Sequence, residues 1–434
     1  MLNNTFNNND VRQKIIHWFL YIYLFFIPFF SIAIREEFSL TKLTGYLFFI
    51  SALIYPRVSF SRPPFVFYFF VFYGALNLVW LPFLPPENLL TASWFLITYV
   101  QLLIISWILI SIFKAPAIAL NGIKAVSYGT TFFAIITVFN IGGVQDVDSY
   151  KGLDRITGFG TNANEYGIIM ACGTLANLCF LEAAVRRRNA SVLWFLFTSG
   201  LLAKATIDSA SRSALICLVF GFAAYLISLT KEKVRILIAF SMLILSFLLS
   251  SYFVLHNDTL LLRLTESALD RNIAGREFIF ERAWDMFLER PLLGWGPGRH
   301  LSKLGYAFEK EVRDTHNLIL YLLTQSGIVG FMIFATGVWI CLRAAWKQRS
   351  DRLSNLPFVL IATLLVANSA NTLFLDKMFW FILAICVSLI KPSIQRTPRK
   401  LAVRPNLIFA KSEAESDFKM SSLPEKFSSK RKAL

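Results

Sequence analysis

Runs of roughly 16–25 apolar residues recur along this chain, each about the length a helix needs to cross a hydrocarbon core of about 30 Å. Twelve are readable. The clearer ones are 15–34, 65–81, 92–113, 166–185, 214–229, 236–255, 318–342 and 374–390, and the weaker or shorter ones are 40–55, 126–141, 192–207 and 358–370. A bilayer offers the backbone no water, so a chain built this way must satisfy its hydrogen bonds within helices. With 56% hydrophobic residues among 434, a soluble globule is excluded. The predicted fold class is all-α: an integral membrane helical bundle of about twelve transmembrane helices, with one long outward-facing loop containing an amphipathic helix.

Basic residues in the short loops orient the bundle. With the N-terminus cytoplasmic, the inner loops carry Arg57, Arg62, Lys114, Lys124, Arg186, Arg187, Arg188, Lys231, Lys233, Arg235, Arg343, Lys347, Arg349 and Arg352. This is the positive-inside arrangement. The formal charge of +16 therefore gathers on the cytoplasmic side against anionic headgroups. Membrane lipids are expected partners and nucleic acid is not. The expected organisation is a cytoplasmic N-terminus (1–14), a polytopic membrane domain (15–390) with a long periplasmic loop (256–315), and a basic cytoplasmic tail (391–434) of disordered composition. No small-residue cleavage pattern follows the first run, so it reads as a retained span. Cys172, Cys179, Cys217, Cys341 and Cys386 fall in or beside apolar runs without a CxxC pair, as small core residues.

The one long polar excursion, 258–313, is where aqueous chemistry has room. It holds an amphipathic stretch opening at Arg276, the turn Gly294-Trp295-Gly296-Pro297-Gly298, and an ending at Asp314-Thr315-His316-Asn317, where the next apolar run begins. Residues 275–290 read as a surface helix with Phe280, Ala283, Trp284, Phe287 and Leu288 on a buried stripe. Arg276 and Arg282 fall off that stripe, at headgroup level. Two smaller outward loops are 142–165, with Asn162 and Asn164 before a helix start, and 204–212, which delivers Arg212 to the N-terminus of the next span. Backbone N–H groups and the helix dipole favour an anion there, and an arginine adds a planar donor fork.

His316 stands at the start of a span, with Asp314 or Thr315 as the expected N-cap. The dipole favours neutral imidazole and Asp314 opposes it, which leaves the balance open. Each group also has a plainer reading. Arg212 and Arg276 suit interfacial anchors whose heads reach the headgroups, and His316 suits a helix-end hydrogen bonder. Several arginines together on the outer side run against the positive-inside trend, which favours a functional set. Asp146-Val147-Asp148 has the form of a metal-binding DxD but no supporting acidic pair, so it reads as a solvated loop, and no metal or cofactor is expected. The glycines of 294–298 lack the GK[ST] ending of a phosphate-binding Walker loop.

The ordered stretches Arg155-Ile-Thr-Gly-Phe-Gly-Thr-Asn-Ala-Asn-Glu-Tyr-Gly167, Ser211-Arg212-Ser213-Ala214-Leu215, Gly275-Arg276 to Trp284, Arg290-Pro291-Leu292-Leu293-Gly294-Trp295-Gly296 and His316-Asn317 with Gln325-Ser326-Gly327-Ile328-Val329-Gly330 resemble the O-antigen ligase and polymerase family of polytopic membrane glycosyltransferases. The resemblance spans about 155–330. It implies transfer of a glycan from an undecaprenyl diphosphate carrier to an acceptor hydroxyl, at the outer face of a bacterial inner membrane, with a lipid- or glycan-linked acceptor. By position, Arg212, Arg276 and Arg155 would bind the diphosphate and His316 would activate the acceptor, supported by Asn317, Asn164 and Asp314.

The chemistry fits these residue types on its own terms. A diphosphate leaves as a stable anion, so the step needs positive charge where negative charge develops. The sugar hydroxyl is a weak nucleophile and needs a base. The expectation is a metal-independent inverting glycosyltransferase of the O-antigen ligase type. A polymerase using the same donor is the nearest alternative. A transporter of lipid-linked glycan or a small anion would call for ionisable groups at mid-span, which the clearer runs almost lack.

Overall fold

The computed structural model describes residues 11–35, 38–150, 153–228, 255–269, 276–310, 312–349 and 355–390, with positions 241, 244 and 252 between them. The expected tail (391–434), most of the N-terminal segment and nearly all of run 236–255 lie outside the described residues. The helices in chain order are α1 (Val11–Phe26), α2 (Leu40–Leu53), α3 (Pro56–Ser59), α4 (Phe67–Val79), α5 (Pro86–Ile112), α6 (Pro116–Val138), α7 (Ala163–Arg186), α8 (Ser191–Asp208), α9 (Arg212–Ser228), α10 (Asp258–Leu269), α11 (Arg276–Glu289), α12 (Arg299–Tyr306), α13 (Leu318–Lys347), α14 (Leu356–Ala367) and α15 (Lys377–Ser388). Every other apolar run coincides with one of them. Helices α5, α7 and α13 are long and apolar enough to cross a membrane, while α2, α4, α9, α14 and α15 are shorter apolar helices. The chain is thus mainly helical, and among the described residues three helices have the length and composition of a full membrane crossing.

Local chemistry sets the boundaries. Pro86 and Pro116 open α5 and α6, where a helix has no use for the missing N–H. Ser39, Asn162 and Asp376 cap α2, α7 and α15 by accepting from first-turn N–H groups. Run 15–34 stops early as helix: a 3₁₀ turn carries Pro28, and β1 (Ala33–Arg35) then pairs with β2 (Phe38–Ser39). The loop 142–165 is likewise more regular than expected. There β3 (Gln145–Tyr150) pairs antiparallel with β4 (Leu153–Gly158), and Asp146 accepts from the Gly160 N–H at 2.5 Å, so this aspartate closes the hairpin's end. The loop expected at 204–212 shrinks to three residues, because α8 continues to Asp208, where Lys204 pairs with Asp208 at 2.5 Å.

At the middle of the bundle α7 packs against α8 and α9. Asn177 donates to Thr198 at 3.0 Å and accepts from Ser127, a polar tie between three helices. A second centre is aromatic: Tyr73, Tyr99, Phe334, Phe374 and Trp380 meet at centroid distances of 5.1 to 5.7 Å and lock α4, α5, α13 and α15 together.

Helix α13 is broken. Gly327 has φ 62 and ψ −166, and the turn after α11 fills the break. Trp295 and Gly296 donate to the carbonyls of Thr324 and Gln325 at 2.9 and 2.8 Å, and Ile328 and Val329 donate to those of Pro291 and Leu292 at 2.8 and 3.2 Å. Four backbone bonds therefore replace those the helix loses. The two sequence stretches around Gly294 and Gly327 are halves of one joint, and Gln325 and Ser326 anchor it to α4 through Asn77 at 2.7 and 3.2 Å.

The buried face of α11 differs from the predicted stripe. Ile279, Ala283 and Met286 are buried, Ile279 and Met286 packed with Trp295 and Leu304, while Phe278, Trp284 and Leu288 are exposed. The spacing argument found one apolar face where the helix has two, and the protein takes the face on which Ile279 and Met286 reach Trp295.

Candidate functional site

Asn317 caps α13: its Oδ1 accepts from Ile319 and Leu320 at 2.9 and 3.1 Å. The cap expected at Asp314 or Thr315 is thereby corrected. An Asx side chain satisfies N–H groups two and three residues on, and only Asn317 stands at that spacing. The same side chain donates to Ser369 O at 3.0 Å, and Leu318 N donates to Asn368 O at 2.8 Å. His316 precedes the cap with φ 51, a left-handed conformation that turns the chain before the helix begins.

Arg212 is the first residue of α9, and the turn before it is held from several sides. Arg155 Nε donates to Ser209 O at 3.4 Å, Arg263 Nη1 donates to Ala210 O, and Arg212 Nη1 donates to Arg263 O at 3.3 Å. Ser211 donates to Asn164 Oδ1 at 2.8 Å, linking the starts of α7 and α9. Arg155 and Asn164 therefore meet the turn that aims Arg212. Arg276, the first residue of α11, donates through Nη1 to Ala370 O at 2.5 Å.

Residues 368–371, which follow α14, hold all of these pieces. Asn368 O takes Leu318, Ser369 O takes Asn317, Ala370 O takes Arg276, and Asn371 Nδ2 donates to Ser213 Oγ at 3.4 Å. This hub was not singled out from the sequence, where 358–370 reads only as a weak apolar run. The one available signal was its composition, Asn368-Ser369-Ala370-Asn371-Thr372, four polar residues and an alanine between two apolar stretches.

The electrostatics join the groups. Burial lowers the Arg276 pKa, the neighbouring Arg212 lowers it further, and Asp314 opposes both. Burial also holds the His316 imidazole below its ordinary value, with Asp314 opposing and Arg276 and Arg313 assisting. Asp314 is pushed above the usual carboxylate range by burial, against the pull of His316 and of the Thr315 and His316 N–H groups. His316 Nδ1 lies 3.6 Å from Asp314 Oδ2. Nδ1 thus faces a carboxylate, and neutral imidazole is the favoured form at pH 7. Glu165, at the start of α7, shares this field through Asp314 and was not named as a site residue.

Residues 185–335 match the family model described as O-antigen ligase. The chain carries a domain of the O-antigen ligase family. Arg212, Arg276, His316 and both halves of the Gly294–Gly327 joint lie within the O-antigen ligase match, and Arg155, Asn164 and the 368–371 hub lie outside it. No curated protein matches the chain. The O-antigen ligase match together with apolar helices of this kind supports a membrane protein of polysaccharide biosynthesis.

Proposed function

We propose that the protein transfers a glycan from an undecaprenyl diphosphate carrier to an acceptor hydroxyl at the outer face of the inner membrane. Both termini are then cytoplasmic and the site faces the periplasm. The observation that carries this reading is that residues 368–371 bond to the starts of α9, α11 and α13, the helix starts at which Arg212, Arg276 and His316 stand.

His316 takes the proton of the acceptor hydroxyl. With Nδ1 turned to Asp314, Nε2 is the nitrogen that accepts it, and Asp314 stabilises the imidazolium that forms. The acceptor oxygen bonds to the anomeric carbon as the bond from that carbon to the phosphate oxygen breaks, which inverts the centre. The diphosphate departs with its negative charge held by Arg212 and Arg276. Arg155 acts at one remove, holding the carbonyl of Ser209 so that Arg212 points where it does. No step in this scheme calls for a metal or cofactor.

The test is polysaccharide transfer in cells carrying His316→Ala at normal protein level. Transfer should fall by roughly 10²–10⁴-fold, the usual contribution of a positioned base. Undiminished transfer would remove the base assignment. Gel profiling of a deletion strain separates ligation from polymerisation: loss of a ligase leaves long polymer on the carrier, and loss of a polymerase leaves single repeats.

A further inference from the structure

Helix α14 ends at Ala367, and the last carbonyls of a helix have no partner within it. The chain itself takes up several of them. Asn368, Ser369 and Ala370 donate to the carbonyls of Leu364, Val366 and Ala367 at 2.9, 3.0 and 3.2 Å. The next three carbonyls, those of Asn368, Ser369 and Ala370, accept from other elements. They take Leu318 N at 2.8 Å, Asn317 Nδ2 at 3.0 Å and Arg276 Nη1 at 2.5 Å. Three consecutive residues thus hold both the helix start beside His316 and the guanidinium of Arg276.

One side chain closes that turn. Asn368 Nδ2 donates to Leu364 O at 2.8 Å, and Asn368 Oδ1 accepts from Leu373 N at 2.9 Å. The partners fix the amide's orientation, since an N–H can meet only its oxygen and a carbonyl only its nitrogen. Asparagine has the needed donor and acceptor on one short stem, whereas aspartate lacks the donor and leucine lacks both. Asn368 is 3% exposed, too deep to touch a substrate itself. Without the bridge the three carbonyls keep their chemistry and lose their fixed direction. A misplacement of about 1 Å in a reacting group costs on the order of 10²-fold in rate.

We infer that Asn368 is a positioning residue for glycan transfer, which sets the place of Arg276 relative to His316 through the backbone of residues 368–370. The inference rests on the reading of Arg276 as a phosphate ligand and His316 as the base. Asn368 lies beyond the 185–335 family match, so the match alone does not lead to it.

The test adds purified full-length variants to detergent-solubilised membranes of the deletion strain, which hold the accumulated carrier-linked glycan and the acceptor, and follows transfer on gels. Asn368→Ala should lower the rate by about tenfold or more. Asn355→Ala is the control for lost stability alone. Asn355 is equally buried but stands about 18 Å away along α14, where it donates to Ser228 Oγ at 2.9 Å. Assayed equally far below its melting temperature, it should stay within about twofold of wild type. Added to Arg276→Ala or to His316→Ala, Asn368→Ala should fall short of the product of the two losses by about threefold or more. Each of those proteins has already lost part of what the turn positions. Should Asn368→Ala not fold, Asn368→Ser, which keeps a donor for Leu364 O, carries the same cycle. A wild-type rate, a loss matched by Asn355→Ala, or losses that multiply in full in both backgrounds would overturn the inference. The reading of the site fails differently, with His316→Ala and Arg276→Ala active while Asn368→Ala is impaired.

Discussion

His316 Nδ1 stands 3.6 Å from Asp314 Oδ2, two residues apart on a left-handed turn, and each group shifts the other's proton affinity. The base is active when neutral. Its pKa lies below the ordinary 6.5, so the transfer rate should hold its plateau as pH falls past 6.5 and drop only at lower pH. Asp314 is the group that raises the His316 value, so Asp314→Asn should move this acid limb further down. It should also lower the plateau, because the imidazolium loses its counter-charge. A pH–rate profile of both proteins decides. A wild-type limb above 6.5, or a limb that rises in Asp314→Asn, would remove His316 as the base.

Arg276 combines a carbonyl contact with a role toward phosphate. Its Nη1 is engaged by Ala370, and the rest of the guanidinium remains for a second partner. Lysine carries the charge but has no planar fork, so Arg276→Lys cannot serve both. Losing one hydrogen bond from a charged group costs about 1.5–3 kcal/mol, or roughly 10- to 100-fold in transfer rate. The same assay on Arg282→Lys is the control, since Arg282 makes only a loose pair with Glu289 at 3.7 Å. Wild-type transfer by Arg276→Lys would leave Arg276 as a mere anchor.

The parts of this architecture that could be read from sequence are those with a local cause. Arg212 at the start of a helix, the helix beginning at Arg276 and the apolar runs all follow from period and boundary residues within a few positions. What escaped depends on distant partners. Asn317 caps α13 while also reaching Ser369, a partner some fifty positions away. The buried face of α11 is chosen by Trp295 and Leu304, which lie beyond that helix. Residues 368–371 gather the starts of α11 and α13 through backbone carbonyls, groups that every residue has, and reach α9 through the Asn371 side chain. Arg155 carries a family-like motif, yet its contact is with Ser209, some fifty positions away.

The joint between Gly294 and Gly327 should tolerate no side chain. A Cβ on Gly327 would lie 2.3 Å from the Leu292 carbonyl carbon and oxygen, and one on Gly294 would lie 2.5 Å from the Gln325 carbonyl. The Gly327 backbone, at φ 62 and ψ −166, is also in a region essentially reserved for glycine, which alone costs of order 1–3 kcal/mol for another residue. Gly327→Ala should therefore destabilise by about 3 kcal/mol or more, seen as a lower melting temperature in detergent. Gly200→Ala is the comparison: Gly200 lies within α8 with nothing near its Cβ position, and alanine there should be neutral or stabilise by up to about 1 kcal/mol. Equal melting of the two variants would mean that the loop does not fill the break.

His300 supplies the pH dependence of stability. It is 1% exposed, its Nδ1–H donates to Gly296 O at 3.1 Å, and its ring meets Tyr321 edge-on at 4.6 Å. Burial pushes its pKa down to about 3, against the pull of the Gly296 carbonyl. The folded value is below the unfolded one, so between pH 6.5 and about 3 the unfolded chain binds a proton that the folded chain refuses. Stability from this group is complete above pH 6.5 and declines as pH falls through that window, by up to about 1.4 kcal/mol per unit. His300→Phe keeps a ring against Tyr321 and has no proton to gain. It should start lower at pH 7 by roughly 0.5–1.5 kcal/mol for the lost hydrogen bond, and then decline less steeply. Melting temperatures in detergent from pH 7 to pH 4 measure both slopes, and identical slopes would show that His300 does not carry this dependence.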